Sequence, residues 1–366
     1  MADSTSPDSL NMITELSTKS LSNFAAIAFL LASASCPAKE PMWKWEAQDC
    51  GVETSIRALC AVDEKVCWFG TAKGTIGRTI DGGKTWKRFV VAGAEDVEFR
   101  DVEAFDSSRC IAMSVGEGKA SQIYRTTDSG ESWNLVFQNK APNGFFDGMA
   151  FWDEQTGILA GDPVDGRLVV LRTADGGATW QPVDSTPAMK EGENAFAASG
   201  THLAVAPGGH VWVGTGGVAA RVFHSTDFGK TWARADTPMI AGEPSTGIFS
   251  IAFKDTQHGF AVGGDYTKEA AGERNALWTS DGGSSWALLH GTGDDRPSVF
   301  SFRSCVRCVP DSNLVIVAGP DGCNVSRDDG KTWAAFGDQG FHTLSVGGGL
   351  NAIWAAGADG RIARLR

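Results

Sequence analysis

Six copies of one short motif run through the chain, and they constrain its fold more than any other feature. Each copy fits Ser/Thr-x-Asp-x-Gly-x-x-Trp, and subtraction of successive aspartate positions gives spacings of 47, 47, 52, 54 and 47 residues. A period of this size indicates a repeat architecture in which each period is one supersecondary unit. The motif aspartates are Asp81, Asp128, Asp175, Asp227, Asp281 and Asp328.

The motif has the chemistry of a structural turn. Asp accepts hydrogen bonds from nearby backbone amides, Gly adopts a positive φ without steric cost, and Trp provides a large apolar ring. We therefore predict that the six aspartates are structural, and that each motif tryptophan packs against a neighbouring repeat.

Each period also reads as four short strands separated by Gly or Asp turns. In the first period these strand-like runs are residues 55–60, 65–69, 75–78 and 86–91. Four strands in about 40–50 residues are typical of a β-propeller blade. The end of the chain has three such runs without a motif, and residues 42–46 resemble an unpaired outer strand. We predict an all-β, seven-bladed propeller of four-stranded antiparallel blades over residues 42–366, closed by strands from both ends.

The segment before residue 42 has the pattern of a targeting sequence. The apolar run 24–31 is too short for a membrane span, which needs about 20 residues, and small residues with an Ala-x-Ala pattern follow it. We predict a signal peptide over residues 1–36, a linker over 37–41, and export to the periplasm or cell envelope. Cys36 lies where a lipoprotein carries its acyl chain, so a lipid anchor and a plain cleaved signal both stay open. The alternative is a disordered cytosolic tail.

Composition and spacing exclude several kinds of site. The formal net charge of −12 disfavours a nucleic-acid backbone and an anionic membrane surface as partners. Cys305-x-x-Cys308 has no second pair and no histidine at ligand spacing. Gly214-Thr-Gly-Gly217 lacks the third glycine of a dinucleotide-binding loop. We predict no metal, no cofactor and buried thiols, with one or two disulfides as the alternative in an exported chain.

The motif is the Asp-box, or BNR repeat, and the chain after residue 41 resembles the photosystem II stability/assembly factor family. The stretches that carry this resemblance are residues 99–105, 146–151, 161–166, 195–201, 214–217, 247–253 and 263–266. The resemblance implies a propeller and, for the photosynthetic members, a non-enzymatic role in assembly with a partner protein. Asp-boxes themselves specify a fold and say little about activity.

In this architecture the central funnel opens on the face opposite the Asp-boxes. Alignment of the repeats places polar residues there, on the innermost strands and on the loops between second and third strands. The predicted binding residues are Arg57, Arg100, Asp101, Asp147, Asp162, Asp165, Asp265, Tyr266 and Arg303. Accompanying residues are Glu117, Lys119, Ser250, Lys268, Glu269 and His342.

Three interpretations of the funnel stay open. In the first, it is a polar lining whose charges pair with one another. In the second, which we favour, it is a non-catalytic recognition surface for a partner protein or an anionic ligand, with the three arginines as bidentate donors. In the third, the protein is a sialidase-like glycoside hydrolase acting on glycans, with Tyr266 as nucleophile and Asp265 and Asp162 as its carboxylates. The sequence holds no complete catalytic set.

Overall fold

The computed structural model of the protein describes residues 43–289 and 300–366. In these residues the chain forms seven antiparallel sheets of at least four strands each, one for every predicted blade. The fold is the all-β, seven-bladed propeller expected from the repeats. The predicted signal peptide, the linker, Cys36 and Met42 lie outside the described residues.

Within the first six blades the four strands are hydrogen-bonded in chain order, from the innermost to the outermost, and in blade 7 the outermost strand comes from the start of the described chain. Blade 1 comprises Ile56–Ala61, Cys67–Thr71, Thr75–Thr79 and Lys87–Val90. Blade 2 comprises Glu98–Ala104, Cys110–Val115, Gln122–Thr126 and Asn134–Gln138. Blade 3 comprises Phe146–Phe151, Gly157–Val164, Arg167–Thr173 and Gln181–Pro182. Blade 4 comprises Leu203–Ala206, His210–Gly214, Arg221–Ser225 and Ala233–Asp236.

The remaining blades follow the same plan. Blade 5 comprises Thr246–Phe253, Gly259–Asp265, Ala276–Thr279 and Ala287–Leu288, and its sheet is extended by Glu193–Asn194 and Gly216–Gly217. Blade 6 comprises Cys305–Cys308, Val315–Gly319, Gly322–Ser326 and Ala334–Ala335. Blade 7 comprises Thr343–Val346, Ile353–Ala356, Ile362–Leu365 and, as its outer strand, Trp45–Gln48. Two short 3₁₀ turns are Gly118–Ala120 and Leu350–Ala352, and no described helix is long and apolar enough to cross a membrane.

Blade 7 joins the two ends of the described chain. Its outer strand begins three residues later than the run at 42–46 suggested, and Trp45 pairs with Leu365 in antiparallel register. The Trp45 ring fixes this position, because its centroid lies 5.7 Å from that of Phe336 and 5.2 Å from that of Phe341. The ring of blades therefore closes through contacts between residues that are far apart in sequence.

Each Asp-box ties the turn between the third and fourth strands of its blade. In blade 1 the Thr79 hydroxyl donates to Asp81 at 2.8 Å and accepts from the Gly83 amide at 2.9 Å. Asp81 accepts from the amide and the hydroxyl of Thr85, at 2.9 and 2.6 Å, and these bonds lower the pKa of Asp81 to about 2. Equivalent bonds recur at the other motif aspartates. The boxes are therefore structural, as their chemistry predicts.

The box tryptophans add ring contacts. The Trp86 ring meets Trp354 of blade 7 edge-on at 5.8 Å, and Trp133 meets Trp68 of blade 1 at 6.3 Å. In blades 3 and 5 the box tryptophan makes its edge-on ring contact with a phenylalanine of its own blade instead. Such contacts stabilise beyond the area that they bury.

Hydrogen bonds also link the innermost strands from blade to blade. Asp101 of blade 2 accepts from the Met149 amide of blade 3 at 2.7 Å, and the Ala61 amide of blade 1 donates to Ser345 of blade 7 at 2.8 Å. In the same way, two cysteine sulfur atoms each accept a hydrogen bond from a backbone amide on the innermost strand of the following blade, at 3.3 Å. Side chains next to the channel therefore hold the ring together.

These two sulfur atoms belong to Cys60 and Cys305. The cysteines in the described part of the chain are all free thiols. Burial raises the pKa of Cys308 to about 12. A thiol with such a pKa is a poor metal ligand and a poor nucleophile, because the thiolate is the reactive form.

Candidate functional site

Four innermost strands carry a β-bulge at the same place. The extra residues are Arg57 in blade 1, Arg100 in blade 2, Asp147 in blade 3 and Phe249 in blade 5. A bulge re-aims the side chain of its extra residue. The first three were predicted as site residues, whereas sequence alignment placed Ser250 at the fourth position, one residue too late.

The bulges lie near the face opposite the Asp-boxes, which we call the rim face. A cavity of about 350 Å³, the rim cavity, opens there. It brings together the predicted residues Arg57, Arg100, Tyr266, Glu269 and His342. Its other lining residues are Phe196, Ala197, Ala198, Phe249, Phe302, Ser304 and Pro320.

Two arginines form the cationic side of the rim cavity. Arg57 Nη1 donates to the Ala198 carbonyl at 3.2 Å, and Arg100 Nη1 donates to the Ala197 carbonyl at 3.1 Å. Arg100 is also paired with Glu98, with Nε 3.1 Å from Oε1. Burial and the nearby Arg100 lower the pKa of Arg57. Arg57 therefore offers a partly desolvated guanidinium that is suited to a carboxylate.

His342 completes this side of the cavity as a neutral group. Burial, followed by the charges of Arg57, Arg361 and Arg100, lowers the pKa of His342 to about 4. A neutral imidazole at pH 7 can donate one hydrogen bond and accept another.

Aromatic rings form another part of the cavity lining. Phe196 and Phe249 are stacked, with centroids 4.0 Å apart and an interplanar angle of 10°. Phe302 and Tyr266 meet the Phe249 ring edge-on at 4.9 and 6.0 Å. Tyr266 is 49 % exposed, so it is the part of this cluster that a partner can reach. The sequence analysis missed the phenylalanines because apolar residues in strands usually belong to the core. The available signal was the repeat position of Phe249, which is the same as that of Arg57.

The backbone that receives the two arginines runs through the channel. This channel segment, residues 195–201, connects blade 3 to the innermost strand of blade 4. Ala197 and Ala198 line the rim cavity, whereas Ser199 and Gly200 line a cavity on the opposite face. The Ser199 hydroxyl donates to the Ser304 carbonyl, next to blade 6, at 3.1 Å. The segment therefore closes the floor of the rim cavity.

Three predicted aspartates lie against this segment rather than in the cavity. A Cβ on Gly200 would fall 2.4 Å from the Asp101 carboxyl carbon, and Asp162 accepts the Ala195 amide at 2.9 Å. Asp147 is 1 % exposed, and the Ala197 amide of the segment opposes the rise of its pKa through a hydrogen bond. Asp162 belongs to the second strand of blade 3, not to the following loop as predicted.

Of the two remaining predicted aspartates, Asp165 is a turn residue, whereas Asp265 is the last residue of the second strand of blade 5 rather than part of the following loop as predicted. Asp165 forms the tight turn between the second and third strands of blade 3 with φ +51°. Asp265 accepts from the amide and the hydroxyl of Thr267 at 3.0 and 2.7 Å. Although burial opposes the shift, hydrogen bonds from Thr267 and Ser245 lower the pKa of Asp265 to about 2. Neither side chain lines the rim cavity.

Arg303 also lies apart from the other two arginines. It is 5 % exposed, donates to Asn324 Oδ1 from Nη2 at 2.7 Å, and is paired with Asp321 at 2.5 Å. Its guanidinium lies over the Phe300 ring, 5.5 Å from the centroid. The structure therefore does not bring Arg303 into an arginine cluster.

The predicted hydrolase residues are not assembled into one site. In the described ranges no hydrogen bond joins the Tyr266 hydroxyl to a carboxylate, and Asp265 is engaged by its own turn. Asp162 lies behind the channel segment. A tyrosine nucleophile needs a base within hydrogen-bond reach.

A second cavity, of about 580 Å³, opens on the Asp-box face. Glu103 and Arg307 line it, and neither was predicted as a site residue. Burial raises the pKa of Glu103 to about 7, although the Arg307 charge opposes the shift. No group of three metal-ligating side chains occurs among the residues that the structure covers.

Comparison with known proteins supports the repeat assignment. The BNR/Asp-box repeat model matches residues 223–234, which span the box of blade 4. The photosystem II assembly lipoprotein Ycf48 of Synechococcus sp. (strain CC9902) is 24 % identical over 268 residues, which are 70 % of this chain and 66 % of the relative. The photosystem II assembly protein Ycf48 of Thermosynechococcus vestitus is 24 % identical over 292 residues, 66 % of this chain and 74 % of the relative. The match to the first relative thus spans slightly less than two thirds of its length.

A solved structure extends the comparison to the fold. The structure described as YCF48 bound to D1 peptide superposes with a TM-score of 0.62 at 17 % identity, over 88 % of this chain and 96 % of that one. At this identity the likeness concerns the fold. The chain is a seven-bladed Asp-box β-propeller that resembles the photosystem II stability/assembly factor family in sequence and in architecture.

Proposed function

We propose that the protein is a non-catalytic assembly factor that binds a segment of a partner protein at the rim cavity. The observation that carries this proposal is the mixed lining of the cavity, which combines Arg57 and Arg100 with a cluster of aromatic rings. Guanidinium groups recognise carboxylates, and aromatic rings hold apolar side chains. A peptide that carries both kinds of group matches the cavity.

The comparisons support the same role. Two relatives are named photosystem II assembly proteins, and a solved relative was determined with a bound peptide. The cavity of about 350 Å³ lies near the lower end of the size range of binding pockets, which is roughly 300–1,000 Å³. One or two side chains of the partner fill it, and the neighbouring rim loops contact the rest of the segment.

Capture of a partner from a membrane extract of the source organism tests this proposal. The full-length protein serves as bait, beside an Arg57→Gln/Arg100→Gln double variant and an Arg234→Gln control. Arg234 is an exposed arginine on the outer strand of blade 4, outside the cavity. We expect the double variant to lose at least about 1.5–3 kcal/mol of binding free energy for each charged hydrogen bond removed, and the control to bind as the unmodified protein does.

Circular dichroism and thermal unfolding show whether the double variant is folded. Equal capture by the folded double variant and the unmodified protein would contradict the proposal. Turnover of a glycan that is lost in Tyr266→Phe would replace it with the hydrolase interpretation.

We also propose that the protein is exported and carries a lipid on Cys36. The sequence pattern of residues 24–36 supports this proposal, and the Synechococcus relative is named a lipoprotein. Incorporation of a fatty-acid analogue that is abolished by Cys36→Ala and retained in Cys308→Ala tests the anchor. Secretion without labelling would indicate a plain cleaved signal.

A further inference from the structure

The channel segment is held between two sets of charged side chains. On one side Arg57 and Arg100 donate to its carbonyl groups. On the other side Asp162 accepts the Ala195 amide at 2.9 Å. The segment also supplies Phe196 to the aromatic side of the rim cavity. The position of the segment therefore sets the shape of the cavity.

Asp147 and Asp162 are neighbours on adjacent strands. Asp147 is the bulge residue that follows Phe146, and Phe146 pairs with Gly161, the residue before Asp162. Asp147 is 1 % exposed, and its Oδ2 has no hydrogen-bond partner in the part of the chain that the structure describes. A fully buried carboxyl group and a half-buried one on adjacent strands cannot both be charged without a cost in free energy. At least one of them therefore holds a proton in the packed arrangement.

We propose that the Asp147–Asp162 pair positions the channel segment and thereby makes the formation of the rim cavity dependent on pH. This inference rests on the proposed binding function, because it concerns the wall of the same cavity. The two carboxyl groups lie behind the segment, so they act as positioning residues and do not touch the bound partner.

The direction of the effect follows from the burial of the pair. Burial raises the pKa of Asp162 from 3.8 to about 6, although the Ala195 amide opposes the shift. Burial and then the charge of Asp162 raise the pKa of Asp147. A raised pKa means that the packed arrangement binds the proton more tightly than one in which the segment has moved and the carboxyl groups are hydrated. The packed segment is therefore favoured below pH 6.

Above pH 6 the ionised Asp162 favours release of the segment. The difference between 3.8 and about 6 limits this effect to about a hundredfold in the ratio of released to packed segment. Below pH 3.8 the ratio of released to packed segment no longer depends on pH, because Asp162 is protonated in both arrangements.

Other titratable groups surround the segment and must be separated from the pair. Arg100 faces Asp147 and lowers its pKa, and Glu98 is paired with Arg100. Asp101 contacts the far end of the segment at Gly200, and the pKa of its neighbour Glu103 is about 7. His342 does not change charge between pH 5 and 8, because its pKa is about 4. The segment itself, residues 195–201, carries no titratable side chain.

Hydrogen exchange of the full-length protein tests the inference without any partner. We expect exchange of peptides that cover residues 193–201, corrected for the intrinsic base-catalysed rate, to rise at least tenfold between pH 5 and pH 8. Asp162→Asn keeps the acceptor for the Ala195 amide and removes the charge, so its corrected exchange should change less than threefold. Asp184→Asn, an exposed aspartate of the same region, is the matched control and should behave as the unmodified protein does.

Asp147→Asn provides a second variant if Asp162→Asn does not fold. It leaves a neutral group beside Asp162, and burial rather than the charge of Asp147 raises the pKa of Asp162, so the pH dependence should persist with its midpoint unchanged. A corrected exchange rate that does not depend on pH in the unmodified protein overturns the inference. The same pH dependence in Asp162→Asn also overturns it, because ionisation of Asp162 is then not the cause of the effect.

Partner capture separates this inference from the proposed function. Both proposals are supported by two results together. Hydrogen exchange of the segment rises with pH as expected, and the unmodified protein, unlike Asp162→Asn, captures several-fold more partner at pH 5.5 than at pH 8. When the exchange result holds and nothing is captured at either pH, the binding function fails and the positioning role of the pair remains. Capture with equal strength at both pH values, together with constant exchange, rejects the inference alone.

Discussion

At the scale of single residues, two adjacent residues of an innermost strand have different roles: one lines the rim cavity and the next binds the neighbouring blade. Arg100 is a bulge residue and points into the rim cavity, whereas Asp101 accepts the amide of the next blade. In blade 5 the bulge residue Phe249 lines the rim cavity, and Ser250 accepts a hydrogen bond from the Val306 amide of blade 6 at 2.9 Å. A charged residue in the funnel sequence is therefore not by itself a ligand-binding residue.

Asp101 provides a direct test of this division. Burial, followed by the charge of Glu103, raises the pKa of Asp101, so a neutral amide can replace the carboxyl group. We expect Asp101→Asn to change the free energy of unfolding by less than about 1 kcal/mol, whereas Asp101→Ala leaves the buried Met149 amide unpaired and costs about 1–3 kcal/mol. Urea unfolding at pH 7 measures both. Equal losses in the two variants would show that the acceptor is unimportant.

At the scale of elements, the repeated parts were predictable from the sequence and the unrepeated parts were not. The Asp-box is a local turn, so its residues predict its structure, and six copies fix the blade period. The channel segment occurs once, and its path depends on distant residues such as Arg57 and Ser304. Arg303 shows the same limit, because its ion pair with Asp321 removes it from the site that its repeat position suggests.

The Asp-box turns predict a component of acid sensitivity. Hydrogen bonds from Thr85 and Ser132 lower the pKa values of Asp81 and Asp128 to about 2, below the unperturbed value of 3.8. A lowered pKa in the folded state contributes stability that is complete above about pH 4 and is lost as the pH falls towards 2. We expect Asp81→Asn to reduce the slope of unfolding free energy against pH between 4 and 2. An unchanged slope would mean that the box persists in the acid-unfolded chain.

At the scale of the whole molecule, the ring depends on one strand from far away in sequence. The outer strand Trp45–Gln48 completes blade 7, and the backbone groups of Lys44 and Arg366 exchange hydrogen bonds at 2.9 and 3.0 Å. A sheet edge left open at this place would expose unpaired backbone groups to other chains. The closing strand therefore protects the ring from association as well as from opening.

Trp45 is the side chain through which this closure can be measured. Removal of a large, partly buried ring in Trp45→Ala should lower the free energy of unfolding by about 2 kcal/mol, somewhat less than for a fully buried tryptophan. Trp278→Ala removes the same side chain from a site where it is 41 % exposed, and should cost less than half as much. Thermal unfolding of both variants provides the comparison. A larger effect at Trp278 would place the critical contact at blade 5 instead.

The backbone hydrogen bonds between Lys44 and Arg366 make a circular permutation of the propeller possible. Because these residues are already hydrogen-bonded neighbours, a short peptide could join them and new termini could be opened in an exposed turn between two other blades. The permuted chain would contain the same seven sheets and the same rim cavity, while a different blade was assembled from its two ends. The contacts between blades therefore form a closed ring that does not depend on the blade at which the polypeptide chain begins.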